Sequence, residues 1–365
     1  MSIAAYRDAE LAPTIKDCLA KARFPERLRF GVCWQHEVDE PRPASFSDPR
    51  VRVVDVHWTE SRGVCWARAQ TMKLWRGEDW FLQLDSHHRF VPGWDVVLHD
   101  QAAACDSPRP VLTSYAPGYR PGEPVPAGSG PMRIDFDRFS GDGIPMLRPG
   151  PIRGWEQRAR PYRGRFASVH LLFAPGRFVE DVPWDPDLYY TGDEITLSVR
   201  AFTHGYDLFM PSRLVLWHAY ATPSSRPKHW DDHVGAATRP WQDYEASSRS
   251  KIRRLLTDPW VGELGCGPQR TLADYEAYAG ISFRHQRVQE YTRLHGEPPN
   301  PPAPPDWAER DEVPSPETPP GAGGTRMSRL VDAWLDKVRA DLERLLVPGA
   351  DGPRPDAAGG RADPG

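Results

Sequence analysis

Nowhere does this chain hold the roughly 18 consecutive apolar residues of a membrane-spanning helix. Its first residues, MSIAAYRDAELAPTI, also lack the basic-then-apolar order of a secretion leader. Cysteine is scarce: Cys18, Cys33, Cys65, Cys105 and Cys266 are odd in number, widely spaced and form no CxxC pair. That pattern supports neither a disulfide framework nor a zinc knuckle, and Cys33 and Cys65, set in apolar runs, read as ordinary buried thiols. Charge of one sign is lacking too. Lys and Arg number 46 against 50 Asp and Glu, for a net charge of −4, which excludes a bulk electrostatic grip on nucleic acid. No nucleic-acid partner and no membrane partner are expected; the location expected is the cytoplasm, and the Ala, Pro, Arg and Gly bias fits a bacterium with a GC-rich genome.

What the chain does hold is 14 Trp and 39% hydrophobic residues, enough for a large core, alongside 40 Pro and 30 Gly that keep part of it from being compact. Residues 2–6, 28–34 and 51–58 read as strands, with a helix over 11–21 and a Pro-rich loop over 36–50. A second helix runs from 61 to about 75, a strand over 80–84, a helix over 96–104 and a strand over 110–115. Strands alternating with helices predict an α/β class with an open, mostly parallel sheet, whose ligands collect beyond the carboxyl ends of the strands. Residues 117–165, rich in Gly, Pro and Arg, read as loop. A helix over 195–202, short strands at 208–210 and 214–217, and helices over 241–256 and 271–280 follow. The expected division is a catalytic domain over 1–296 (a donor-binding half to about 116, then an acceptor half), a Pro/Gly linker over 297–325, an amphipathic helix over 326–347 and a tail over 348–365. The apolar face of that last helix, Leu330, Val331, Trp334, Leu335, Val338 and Leu342, suits docking to a partner or to a second copy rather than to a membrane.

The chemistry concentrates at residues 78–95, EDWFLQLDSHHRFVPGWD, where an apolar run ends abruptly in Asp85, Ser86, His87 and His88. On a strand, residues two apart share a face, so Asp85 and His87 point the same way, and a carboxylate beside an imidazole suits a divalent ion such as Mn²⁺ or Mg²⁺. The alternative is a capped strand end. His88 is expected to face the other side and to pack.

These and other segments carry a resemblance. AYRDAEL at 5–11, GVCWQ at 31–35, GVCWARAQTMKLWRGEDWFLQLDSHHRF at 63–90, TSYAPGY at 113–119, GDE at 192–194, THGYDLFMP at 203–211, WHAY at 217–220 and GPQRTLADYEAYAGI at 267–281 resemble, in that order, the polypeptide N-acetylglucosaminyltransferases of the GT-A fold. Within them the nearest are the cytoplasmic enzymes that place GlcNAc on a hydroxyproline. Residues 118–165 and the C-terminal linker and helix depart from the family pattern.

The resemblance implies a retaining, metal-dependent transfer of a sugar, GlcNAc foremost, from a UDP-sugar to a hydroxyl of a polypeptide or small-molecule acceptor. It implies His218 as a third metal ligand beside Asp85 and His87. Arg68, with Arg62 near it, is implied as a partner of the diphosphate, and Tyr6, Arg7 and Asp8 as holders of uracil and ribose. Asp193 and Glu194 could simply offset the dipole of the helix they open; the resemblance gives them the acceptor side. Asp95 and Tyr115 are either donor-site walls or core. Arg226, Lys228, His229 and Trp230 form a basic, aromatic loop able to close over a diphosphate, or a solvated one. Another donor with a small-molecule acceptor, a metal-dependent nucleotide-sugar hydrolase, and a non-catalytic binding module remain as rival readings.

Overall fold

Strands buried on both faces must be apolar nearly throughout, and the first strands of this chain are. A computed structural model describes residues 1–220, 226–233 and 239–298; the linker, helix and tail expected beyond 298 lie outside the described residues. Strand β1 (Ser2–Tyr6) leads into helix α1 (Leu11–Lys21), and β2 (Phe30–His36) and β3 (Val51–His57) follow. Then come α2 (Val64–Met72), β4 (Trp80–Asp85), β5 (His88–Phe90), α3 (Trp94–Ala103) and β6 (Pro110–Ser114). The later half holds β7 (Met132–Phe139), β8 (Pro145–Pro151), β9 (Tyr162–Arg163), β10 (Leu171–Pro175), α4 (Phe178–Asp181), α5 (Asp193–Thr203), β11 (Asp207–Met210) and β12 (Leu216–His218). Helices α6 (His229–Asp232), α7 (Trp241–Thr257) and α8 (Leu272–Ala279) complete the parts that matter for the site.

The central sheet has eight strands in the order β3-β2-β1-β4-β10-β6-β11-β9, of which only β10 and β9 run against the rest. An open, mostly parallel sheet with helices on both faces is the GT-A architecture that the resemblance implies. Along β4, Leu82 and Leu84 join Ile3, Leu11, Ile15 and Leu98 under α1 and α3, while Phe81 joins Met72, Val111, Phe178 and Leu197 on the opposite face. Asp85 has the parity of Phe81, so it emerges on the α2 side, where Arg68 meets it.

One expectation is overturned. Residues 117–165 are not all loop: β7 and β8 pair as an antiparallel hairpin with a bulge between Phe136 and Arg138. Pro145, Pro149 and Pro151 in β8 conceal it, because proline is read as a strand breaker. A two-stranded ribbon has only edge strands, and edges tolerate proline. The ribbon packs through Ile134, Phe136 and Leu147 onto the same cluster as Ile195 and Ile252, and so stands over α5 and α7.

Two glycines set how helices enter the site. Gly192, with φ +85°, precedes α5, and a Cβ there would come within 2.9 Å of Ile144 and 3.0 Å of Ile252. Gly63, with φ +107°, precedes α2 and lies so close to Tyr189 that a Cβ would meet its ring at 2.6 Å. Both positions call for glycine on conformation and on space.

Candidate metal and donor site

The carboxyl ends of β1, β4 and β12 converge on a cavity of 620 Å³. Strand β4 stops at Asp85, and His87 sits in the turn to β5 rather than on a continuous strand. Strand β12 pairs antiparallel with β5, His218 opposite His88, which brings a residue 131 positions away against His87. One oxygen of Asp85 and one nitrogen each of His87 and His218 lie within 4.8 Å of one another. His87 Nε2 and His218 Nε2 are 2.9 Å apart, and His218 Nε2 is 3.3 Å from Asp85 Oδ2.

The proton inventory shows what this arrangement asks for. Asp8 Oδ2 is 2.7 Å from His87 Nδ1 and also accepts a 2.6 Å bond from the Ser86 hydroxyl. The carboxylate therefore accepts a hydrogen bond from Nδ1–H, and Nε2 of His87 is left with its lone pair pointing at His218 and Asp85. Buried His218 has no partner at Nδ1 among the described residues. Lone pairs gathered without enough protons between them fit a cation, and one carboxylate with two imidazoles fits a divalent metal. Asp8 behind His87 is the carboxylate–imidazole pairing that fixes a ligand's tautomer and raises its basicity.

Burial by itself would raise the Asp85 pKa, but His218 beside it and the charge of Arg68 outweigh it and hold the carboxyl well below its usual range. Burial, then the neighbouring imidazole of His170, keeps His218 neutral by lowering its pKa well below the ordinary value. His88 is a packing residue, as expected. Its Nδ1 donates to the Trp217 carbonyl at 3.0 Å and its Nε2 accepts the Asp85 amide N–H at 3.2 Å, so it is neutral; burial pushes its pKa down to about 3.

Arg68 is not available as a free phosphate donor. Its side chain is 3% exposed, and its terminal nitrogens reach Asp193 Oδ2 at 2.7 Å and Asp85 Oδ1 at 3.1 Å. It ties Asp85 to the start of α5. Arg62 is exposed and faces a separate cleft beside Trp66 and Arg254, because it precedes Gly63 and points away as α2 begins. Asp95 is no donor-site wall: its oxygens accept the backbone N–H groups of Arg23 and Phe24, each at 2.8 Å, against a different cavity at the other end of the sheet. Tyr115 does line the site, donating to Glu194 Oε2 at 2.5 Å. Glu194 also accepts the Val169 amide at 3.2 Å, and burial, followed by the charge of Asp193, pushes its pKa up to about 7.

At the end of β1, Tyr6 Oη and Arg7 Nη1 both donate to Asp232 of α6, at 3.1 and 2.8 Å. Arg7 has φ +44°, an uncommon conformation for a side-chain-bearing residue, and this turn sends Asp8 back towards His87. Tyr6 lines the cavity. In the basic, aromatic loop, Arg226 Nη1 approaches Asp8 Oδ2 at 3.8 Å, and His229 is held between the Tyr189 hydroxyl and the Ser61 carbonyl. The loop thus roofs the cavity; the far wall is the hairpin tip, Arg138 to Asp142. Two contributors escape a reading of the residues alone. Asp232 is one acid of a pair just past the basic, aromatic stretch Arg226 to Trp230, with nothing local to give it a role, and His170 is visible only as a polar residue alternating with apolar ones before β10.

The family model described as Glycosyltransferase (GlcNAc) matches residues 1–49 and 40–285. The chain belongs to that glycosyltransferase family. No curated protein matches. Among solved structures, the chain is similar to GalNAc-T7 with UDP, GalNAc and Mn²⁺, at 13% identity and a TM-score of 0.46, covering 68% of this chain and 50% of that one. It thus spans half the length of that relative. It is also similar to residues 1–349 of TarS from S. aureus, at 14% identity and a TM-score of 0.37, covering 60% of this chain and 59% of that one, and to the same protein with UDP, covering 70% and 71%. No helix of the described residues is long and apolar enough to cross a membrane.

Proposed function

We propose that this glycosyltransferase moves a sugar, N-acetylglucosamine in keeping with its family, from a UDP donor to a hydroxyl acceptor with retention, using Mn²⁺ or Mg²⁺ held by Asp85, His87 and His218. One observation carries the reading: a carboxylate oxygen and two imidazole nitrogens from distant parts of the chain lie within 4.8 Å of one another at the floor of a 620 Å³ cavity. An ion bound there would neutralise charge on the leaving diphosphate as a Lewis acid.

The other roles fall to the chain's own groups. Asp8 holds the imidazole of His87 in the tautomer that presents Nε2. Tyr6, joined to Asp232, lines the end where the nucleoside fits. Arg226 adds positive charge beside the place of the phosphates. On the opposite wall, Asp193 is ion-paired by Arg68 and Glu194 is hydrogen-bonded by Tyr115. Neither is a free carboxylate poised as a nucleophile, which favours attack by the acceptor on the face that the diphosphate leaves, with the acceptor's proton passing to a phosphate oxygen, over a covalent glycosyl-enzyme. Glu194 and Tyr115 then orient the acceptor hydroxyl, and the tip of β7–β8 shapes what larger molecule carries it.

The test is calorimetry of UDP binding with and without Mn²⁺, followed by product analysis with a UDP-sugar panel. Metal-dependent binding in the wild type, lost in Asp85→Asn and His87→Ala with the circular dichroism spectrum unchanged, is the expected result. Free sugar formed regardless of acceptor would point to a hydrolase, and UDP binding that ignores metal overturns the reading.

A further inference from the structure

Outside the donor cavity, the face shared by α2 and α7 carries an unbalanced charge. A cleft of 1370 Å³ runs between the two helices. Five cations line it, Arg62, Lys73, Arg239, Lys251 and Arg254, against the acids Glu60 and Asp187. Lys251 is already neutralised, 2.8 Å from Asp185 and 2.9 Å from Asp187. The other four are exposed and have no carboxylate partner among the described residues. Two of them rest on rings rather than on charge: the Arg239 guanidinium is 4.4 Å from the ring centre of Tyr244, and that of Arg254 is 5.2 Å from the ring centre of Trp260. A guanidinium on an aromatic face keeps most of its edge N–H groups for an anion. Lys73 meets the neutral side chain of Gln70 at 2.9 Å.

Exposed cations around one depression fit an anionic strip, and the chain itself carries one. Residues 306–317, DWAERDEVPSPE, hold Asp306, Glu309, Asp311, Glu312 and Glu317 against Arg310 and lie outside the described residues. The stretch that leads to Pro298, the last described residue, runs past the end of α7: Arg284 Nη2 donates to the Thr257 carbonyl at 3.2 Å, about one turn beyond Arg254. From Pro298 to Glu312 the chain can reach about 48 Å when extended, more than twice the radius of gyration of about 19 Å expected for a domain of this size.

We propose that residues 306–317 dock in the cleft between α2 and α7 of the same chain, with their carboxylates against Arg62, Lys73, Arg239 and Arg254. The contact is independent of the metal reading. It sets the segment along the edge at Ser61, which lines both the cleft and the donor cavity.

Carbodiimide coupling of the full chain, followed by peptide mapping, tests this, because the reagent joins an amine to a carboxylate that touches it. Lys73 should be joined to an acid of 306–317. The yield should fall at least about fivefold in Arg62→Glu/Arg254→Glu, and likewise in about 0.5 M salt, where the screening length is only about 4 Å. A labelled peptide of residues 306–317 gives a second readout by fluorescence anisotropy. It should bind a chain carrying Asp306→Asn, Glu309→Gln, Asp311→Asn, Glu312→Gln and Glu317→Gln about tenfold or more tighter than the wild type, whose tethered segment competes at high effective concentration. No link to Lys73, or equal peptide affinity for the two chains, overturns the proposal. So does a link that, in a mixture of isotope-labelled and unlabelled chains, joins one copy to another, since the occupant is then a second copy's segment.

Discussion

Asp8 stands behind His87 rather than among the three groups that face one another, yet the order of the site depends on it. It accepts the hydrogen bond from Nδ1–H of His87, so replacing it with Asn removes the charge that selects the tautomer. Asp8→Asn should weaken Mn²⁺ by about 10- to 100-fold in a titration while the thermal midpoint without metal shifts little. An unchanged metal affinity would show that His87 keeps its tautomer without help. Glu194 makes a different test. Its pKa is raised from 4.5 to about 7 by burial and then by Asp193, so the fold holds a proton that the unfolded chain has released across that interval. The stability this group contributes is present below pH 4.5 and is lost as pH climbs towards 7. Buried His170 and His88, pushed down to about 4 and about 3 by burial, act in the opposite direction by weakening the fold in acid, so the difference between variants is the informative quantity. Relative to the wild type, Glu194→Gln should gain in thermal midpoint between pH 5 and pH 8, and a constant difference over that range would mean that Glu194 is ionised throughout. At this scale the sequence shows which residue types are present but not which way they face. Asp85, His87 and His218 are brought together, whereas Arg62 and Asp95, equally suitable as types, are turned away by a glycine turn and by a backbone cap.

Elements with a single period were legible and elements without one were not. Helix α1 runs from Leu11 to Lys21 as its buried Leu11, Ile15 and Cys18 foretell, and the box of Thr271 with Asp274 marks the start of α8. The β7–β8 hairpin was hidden because β8, PMLRPGP, has neither alternation nor β-branched residues. Its place is set by contacts that only the fold creates, among them Arg249 of α7, which donates to both oxygens of Asp142 at 2.7 and 2.9 Å. A partly exposed ion pair of this kind contributes about 1 kcal/mol, which corresponds to a factor of about five in an opening equilibrium. Asp142→Ala should therefore speed amide hydrogen exchange at residues 139–144 about fivefold and leave UDP affinity alone. If exchange is unchanged, Arg249 is not what holds the tip; if UDP affinity falls with it, the hairpin belongs to the donor side and not to the acceptor wall.

Across the whole molecule, the site exists because parallel strands deliver their carboxyl ends to one rim while β10 and the β5–β12 pair bring late residues back to an early strand. That explains why Asp85 and His87 stood out as a local pattern whereas His218 needed a resemblance: sequence spacing carries no trace of the register that sets His218 of β12 opposite His88 of β5. It also predicts coupling. The metal position, Asp8 and the α6 clasp on Tyr6 and Arg7 share one chain of contacts, through His87, Asp8, Arg7 and Asp232. A ligand filling the cavity should therefore stabilise the entire fold and not just a loop. At 100 times its dissociation constant, a ligand that binds only the folded state adds about 2.7 kcal/mol, or several degrees in a domain of this size. UDP with Mn²⁺ should raise the thermal midpoint by that amount, UDP with a chelator by much less, and Mn²⁺ alone by an intermediate amount, because the lone pairs at the floor repel until the ion is bound. Equal stabilisation by UDP in the presence of chelator would separate nucleotide binding from the metal position, and the convergence of Asp85, His87 and His218 would then need another explanation.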